Sequence, residues 1–207
     1  MDDRFFRDAA SGKGKRERTL AALLDAAVDV TGSKGMEAAK IGDMTTAAGL
    51  ANGTFYNYFQ SKEEILQKIA MEVAIEVSRR LDAQMAGIDD GPTRIVTATA
   101  GFVDLTLTTP DWAAILFDAG TYLPEPRKDS FQYLRADIAI GIEQGAFKVE
   151  VDTFTVSQVV ALISAAIRTQ LAHGRNADLT RRLCINILRL LGLPVHKADK
   201  VVRQVLG

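Results

Sequence analysis

One cysteine, one tryptophan and two histidines in 207 residues leave little material for several kinds of chemistry. Cys184 cannot close an internal disulfide, so a reducing cytoplasm is its expected setting, with the thiol acting as a small buried hydrophobe. His173 and His196 fall in different segments and have no metal-ligand spacing with Cys184. Neither completes the Glu-x-x-His pattern of a di-iron bundle. No P-loop and no Gly-x-Gly-x-x-Gly run is present. Neither a metal nor a cofactor is therefore expected, and a helical enzyme is disfavoured by the missing site chemistry. No uninterrupted apolar run approaches the roughly 20 residues of a membrane span. The opening Met1-Asp2-Asp3 is charged where a secretory leader would be basic and then apolar. No membrane partner is expected.

Proline is also scarce, and its placement is informative. Pro92 follows Asp89-Asp90-Gly91, Pro110 precedes Asp111-Trp112, Pro124 and Pro126 flank Glu125, and Pro194 follows Gly192. Proline breaks helix interiors, so these positions divide the C-terminal two-thirds into helices. Hydrophobic periodicity agrees. Leu20, Leu23, Leu24, Ala27, Val28 and Thr31 take the i, i+3, i+4, i+7 spacing of one helix face, and Gly35 supplies a stop after Lys34. Leu66, Ile69, Val73, Val77 and Leu81 repeat the pattern, and Ser61 with Glu64 forms a capping box at that helix's start. Phe147-Lys148-Val149 is the one ambiguous, strand-like stretch. The fold class is all-α.

The net charge of −1 is no sign of a uniformly basic nucleic-acid binder, but its distribution is uneven. Lys13, Lys15, Arg16 and Arg18 cluster near the start; acids recur later, at Asp82, Asp89, Asp90, Asp104, Asp111 and Asp118. Alone, the basic cluster reads as a solvated tail. Beside a DNA-holding motif it reads as part of an interface.

Residues 40–62 carry such a motif. Ile41, Met44, Thr45 and Ala48 form the inner face of a short helix, Gly49 fits a tight turn, and Leu50 plugs the junction. A second short helix then begins near Asn52. Phe55 and Phe59 share its inner face, and Asn52, Thr54, Tyr56 and Asn57 face out or flank. Gly53 removes bulk where a helix N-terminus would approach a DNA backbone. The run from Ala47 to Leu66 resembles the TetR family of bacterial transcriptional regulators, above all in Ala48-Gly49, Gly53-Thr54, Tyr56, Tyr58-Phe59 and Lys62-Glu63. The resemblance covers about residues 15–77.

The resemblance implies a DNA-binding regulator whose recognition helix spans about Asn52 to Phe59. Asn52, Thr54, Tyr56, Asn57 and Tyr58 would lie nearest the DNA, Asn reading base edges and the hydroxyls bonding phosphate. Core packing is the other reading of Tyr56 and Tyr58. Lys62, in the first turn of the next helix, would hold a phosphate together with the helix N-terminus. Lys40 and Gly42 stand where the family usually places a Ser or Thr cap and a DNA-reaching side chain. Ala51 stands where a Ser cap is common, at a loss of roughly 0.5–2 kcal/mol of capping. The expected organisation is a flexible arm over 1–14, a helix-turn-helix domain over 15–62 with its motif at about 40–59, and a helical effector-binding and dimerisation domain over 63–207.

In that last part Phe102, Leu105, Trp112, Phe117, Tyr122, Phe131 and Tyr133 read either as an aromatic core or as the wall of a mostly apolar pocket. The resemblance favours the pocket. Val156, Val160, Ile163 and Ile167 form one apolar stripe, with Ala165 and Ala166 small enough for close approach. Leu183, Ile187 and Leu190 belong to another. Helices this apolar must bury both faces, in an intrachain core or in a bundle between two chains. The expectation is a cytoplasmic homodimer on a near-palindromic double-stranded operator, most simply a repressor released by a small, mostly apolar effector. The competing expectation is a helical ligand-binding or scaffold protein that does not engage DNA.

Overall fold

A computed structural model describes residues 5–109, 115 and 131–207. Among the described residues the chain forms ten α-helices and no strand. They are α1 (Phe5–Ala9), α2 (Lys15–Lys34), α3 (Ile41–Ala47), α4 (Asn52–Phe55), α5 (Lys62–Gln84), α6 (Gly91–Thr108), α7 (Gln132–Glu143), α8 (Thr153–His173), α9 (Ala177–Leu190) and α10 (Val195–Leu206). Two compact units emerge, one of residues 1–73 and 109–124, the other of 74–108 and 125–207. The residues of α5 are shared between them.

In the N-terminal unit, α2 is the longest element that lies wholly within it. Leu23, Leu24, Ala26, Ala27 and Val30 bury one face of it, and Gly35 ends it at φ 80° with its N–H on the Thr31 carbonyl. The segment expected as a flexible arm carries α1, docked on α2. Phe6 is buried, and the backbone N–H groups of Phe6 and Arg7 donate to the Asp25 carboxylate at 2.8 and 3.0 Å. A carboxylate facing the free N–H groups of a helix start is the arrangement the helix dipole favours. Burial nevertheless raises the Asp25 pKa, more than these donors and Arg7 lower it. The first turns of α5 belong to this unit as well: Ile65, Leu66, Ile69, Ala70 and Val73 are buried.

In the C-terminal unit α6 is central, touching α7, α8, α9 and α10. Ile95, Val96 and Val103 of α6 meet Ile138, Val159, Ile167, Leu183, Ile187 and Val202 in one core. Cys184 joins that core, and burial pushes its thiol pKa up to about 12. It is the inert hydrophobe its solitude predicted. Phe147-Lys148-Val149 is a loop, not a strand. The Phe147 ring is pressed onto Gly141, where an added Cβ would stand 2.2 Å from it. Asp82, Arg94 and Asp137 form an ionic knot joining the end of α5 to α6 and α7, with Asp137 buried, Arg94 partly buried and Arg94 2.6 Å from each carboxylate. The Met85 and Ile88 carbonyls take the remaining Arg94 donors.

Helix α10 was not anticipated. Its Ala198 and Val202 are buried in the core, and α10 packs against both α6 and α9. That packing changes the reading of the two apolar stripes. Val156, Ile167, Leu183 and Ile187, expected at a dimer interface, are buried within the single chain. These faces pack inside the chain: α8 lies on α6 and α9, and α9 on α6, α8 and α10. Val160, Ile163 and Leu190 are half-buried.

Candidate nucleic-acid interface

The turn between α3 and α4 follows from its sequence. At the end of α3, Gly49 adopts φ 68°; its N–H donates to the Thr46 carbonyl and that of Leu50 to the Thr45 carbonyl. This paired closure is a Schellman motif, and it needs a residue that tolerates positive φ. Met44 and Thr45 face inward and are buried, while Leu50 is half-buried at the junction. Lys40 caps α3 through its backbone only, its N–H donating to Asp43 at 3.3 Å. Lys34, 3.0 Å from Asp43, holds that carboxyl below its usual pKa and pins the end of α2 to the start of α3.

Helix α4 is shorter than the expected recognition helix. Its α-helical part ends at Phe55, and residues 56–58 continue as turns, with Asn57 and Tyr58 N–H groups on the Thr54 and Phe55 carbonyls. Ala51, at the N-cap, supplies no side-chain bond, so the missing cap costs the helix support where the sequence predicted. Phe55 and Phe59 are buried with ring centroids 5.6 Å apart and anchor the segment from below. Asn52, Gly53, Tyr56 and Asn57 are left exposed, and Thr54 is half-buried.

The side chains sort by what already holds them. Tyr56 is 62% exposed, supported only edge-on by Phe55. Gly53 is exposed, with a negative φ, and a Cβ there would meet nothing in the chain. Nothing internal therefore demands glycine at that position. A Cβ on Gly42 would reach only ordinary contact with the Asn52 amide. Asn52 accepts a hydrogen bond from the Thr45 hydroxyl. The Tyr58 hydroxyl donates to the Arg16 carbonyl at 3.2 Å, and the Arg16 guanidinium lies 6.0 Å from the ring centre. Lys62, expected on a phosphate, donates to the carbonyls of Met36 and Glu37 at 3.1 and 2.8 Å. Two of its three N–H groups thus stitch the start of α5 to the α2–α3 loop. Lys13, Lys15, Arg16, Arg18 and Lys40 are exposed in the same unit. Sequence reasoning missed both backbone stitches.

Buried aromatics under an exposed, polar, short-side-chained segment, with exposed cations beside it, make a surface that fits a DNA groove rather than a reacting centre. Among the described residues no group of His, Cys, Asp and Glu could hold a metal. Residues 23–69 match the family model for bacterial regulatory proteins, tetR family. Over those residues the chain is similar to the TetR family of bacterial regulators. An uncharacterised HTH-type transcriptional regulator of Bacillus subtilis, YvdT, is 35% identical over 77 residues, a match covering 37% of this chain and 38% of that protein. The fatty acid metabolism regulator protein of the same organism is 22% identical over 193 residues, covering 89% of this chain and 98% of that one. Among solved structures, RolR bound to resorcinol is 25% identical with a TM-score of 0.75, over 91% of this chain and 94% of that chain. No enzyme family is indicated by these likenesses, and the all-α architecture, with its N-terminal helix-turn-helix and larger helical C-terminal part, resembles that of TetR-family regulators.

The aromatic set assigned to a pocket is only partly in view. Phe102 packs against the core of the C-terminal unit, and Phe131 and Tyr133 are half-buried at the start of α7. Trp112, Phe117, Tyr122 and the Leu105 side chain lie outside the described residues. A groove of about 380 Å³ in the same unit, lined by Ala100, Val103, Leu107, Arg175, Arg181 and Leu206, contains none of them.

Proposed function

We propose that this chain is a ligand-responsive TetR-family repressor that binds a near-palindromic operator as a homodimer and leaves it when a small effector binds the C-terminal unit. The observation that carries DNA binding is the exposed segment Asn52–Tyr56 held by buried Phe55 and Phe59. Gly53 adds to it, since its missing side chain has no reason inside the chain and an evident one against a phosphate backbone. In this reading Asn52 and Asn57 read base edges, while Tyr56, Thr54 and Lys40 position the helix on phosphates. Tyr58 and Lys62, already committed to carbonyls, act mainly by holding α2, the α2–α3 loop and α5 together.

Dimerisation rests on α8. This 21-residue helix is apolar enough by length and composition to cross a membrane, yet only 33% of its most apolar 18-residue stretch is buried within the chain. Phe154, Ala161, Ala165 and Leu171 are exposed along it. A two-fold partner covering that face would supply a second recognition segment, as the two half-sites of a near-palindrome require. The effector rests on the likeness to ligand-binding regulators, RolR with resorcinol among them.

The test is DNA binding by the full chain. Genomic fragments captured by the purified protein should share a near-palindrome, and affinity for it should fall steeply with salt. Equal affinity for the palindrome and its scrambled sequence would leave the competing reading, a helical protein that does not read DNA.

A further inference from the structure

The C-terminal unit contains two arginines treated very differently. Arg94 is saturated, with Nε on Asp137, one terminal nitrogen on Asp82 and the other on the Met85 and Ile88 carbonyls. Arg135 is not. Its Nη1 donates to the Val151 carbonyl at 3.2 Å, while Nε and Nη2 are buried and have no hydrogen-bond partner among the described residues. Buried polar atoms in folded proteins are nearly always bonded, and an orphaned donor on a charged group is among the costliest exceptions. Such a group therefore points to something that completes it.

The geometry of the orphaned atoms narrows what that is. Nε–H and Nη2–H are the two parallel donors along one edge of the guanidinium, the fork that matches the two oxygens of a carboxylate. Its nearest positions along the helix are mostly apolar: Phe131, the N-cap of α7, and Ala139 stand one turn either side of Arg135, and Ile138, three residues on, is buried. The Nη1 bond to Val151 ties the opposite side of the group to the backbone.

We propose that the Nε–Nη2 edge of Arg135 seats the carboxylate of an otherwise apolar small molecule. This deepens the reading of the C-terminal unit as an effector-binding unit and rests on it. The mostly apolar effector suggested by the aromatic residues thereby gains a defined polar end, a single planar anion. Specificity follows from the same atoms. A neutral analogue would leave two buried donors unpaired, and a site built for hydrogen bonds rejects ligands that cannot make them.

The experiment is calorimetric titration of the full-length protein, at fixed ionic strength, with octanoate and benzoate against 1-octanol and benzyl alcohol, and with inorganic phosphate. At least one carboxylate should bind ten-fold or more tighter than its alcohol, and phosphate should not displace it. Arg135→Met should abolish that preference, and Arg135→Lys, which keeps the charge but not the fork, should restore only part of it. The Arg135→Met chain should melt no lower than wild type, since it loses an orphaned charge, so a lost preference is not a lost fold. Equal binding of acid and alcohol, binding of neither pair, displacement by phosphate, or a preference that survives Arg135→Met would each overturn the proposal. No DNA enters this measurement, so its failure and a failure to bind operator are separate results.

Discussion

The Thr45 hydroxyl donates to Oδ1 of Asn52, joining the buried side of α3 to the exposed start of α4. The same hydroxyl lies 3.1 and 3.2 Å from the Ile41 and Gly42 carbonyls, so it sits where the helix ladder and the recognition segment meet. Anchoring Oδ1 leaves the Nδ2 hydrogens as the free edge of the amide. A buried residue thereby sets which edge of the Asn52 amide is left free, the edge that would meet a base in the proposed reading.

The consequence is testable with a nearly isosteric change. Thr45→Val should keep the fold but free the Asn52 amide to rotate, relaxing base preference at one operator position while lowering overall affinity far less. Asn52→Ala should remove that preference, worth about 1–3 kcal/mol of discrimination for a well-made base contact. Affinities against a panel of single-base operator variants measure both. An unchanged pattern in Thr45→Val would show that the hydroxyl does not orient the amide.

Lys62 gives a prediction of the opposite kind. Its ammonium bridges the Met36 and Glu37 carbonyls, a charge-assisted pair of bonds across the α2–α3 loop. Lys62→Ala should lower stability by about 1–3 kcal/mol and weaken binding to all sequences alike. The slope of log affinity against log salt should stay the same. A slope reduced by about one would instead place a phosphate on Lys62. Thermal melting combined with salt titration separates the two.

The turn chemistry was legible in the sequence because it is local. Gly49, the Ser61 cap on the Glu64 N–H and the Phe55/Phe59 pair all lie within a few residues of what they satisfy. Lys62 and Tyr58 were not legible, since their partners lie 25, 26 and 42 residues away and are backbone carbonyls, which have no sequence signature. The docking of α1 was hidden for the same reason, because Asp25 meets it from 19 residues on. Periodicity showed that Ile167, Leu183 and Ile187 face something apolar but could not say what. For α8 the answer is α6 and α9, and for α9 it includes α10, whose Ala198 and Val202 are buried in the same core.

The two kinds of apolar residue on the last helices should respond differently to a charge. Ala165 is exposed on α8, whereas Ile187 on α9 is fully buried in the monomer core. Ala165→Glu should give a folded monomer by sedimentation, with helical circular dichroism retained. Ile187→Asp should unfold the C-terminal unit, because an unpaired charge in an apolar core costs several kcal/mol. A dimer that survives Ala165→Glu intact would move the interface away from α8.

Glu76 on α5 carries the clearest pH signature. Its carboxylate is 9% exposed and sits between Arg79 at 2.8 Å and Arg80 at 2.6 Å. The hydrogen bond from Arg79, helped by Arg80, lowers its pKa below the ordinary 4.5 despite the cost of burial. A carboxyl with a depressed pKa in the folded chain binds fewer protons there than in the unfolded chain. Its contribution is therefore complete above about pH 4.5 and is lost as the pH falls below that value through the folded pKa. Asp25 and Asp137, whose pKa values are raised mainly by burial, act in the opposite sense and favour the folded chain toward acid. Wild-type acid stability alone would mix these with other shifted carboxyls such as Asp43, so the informative quantity is the difference between wild type and Glu76→Gln. Urea midpoints measured from pH 7 to pH 3.5 should show Glu76→Gln less stable near neutrality, with the gap narrowing below about pH 4.5 as wild-type Glu76 takes up its proton. A gap constant across that range would mean that packing around residue 76, and not its charge, holds the two arginines in place.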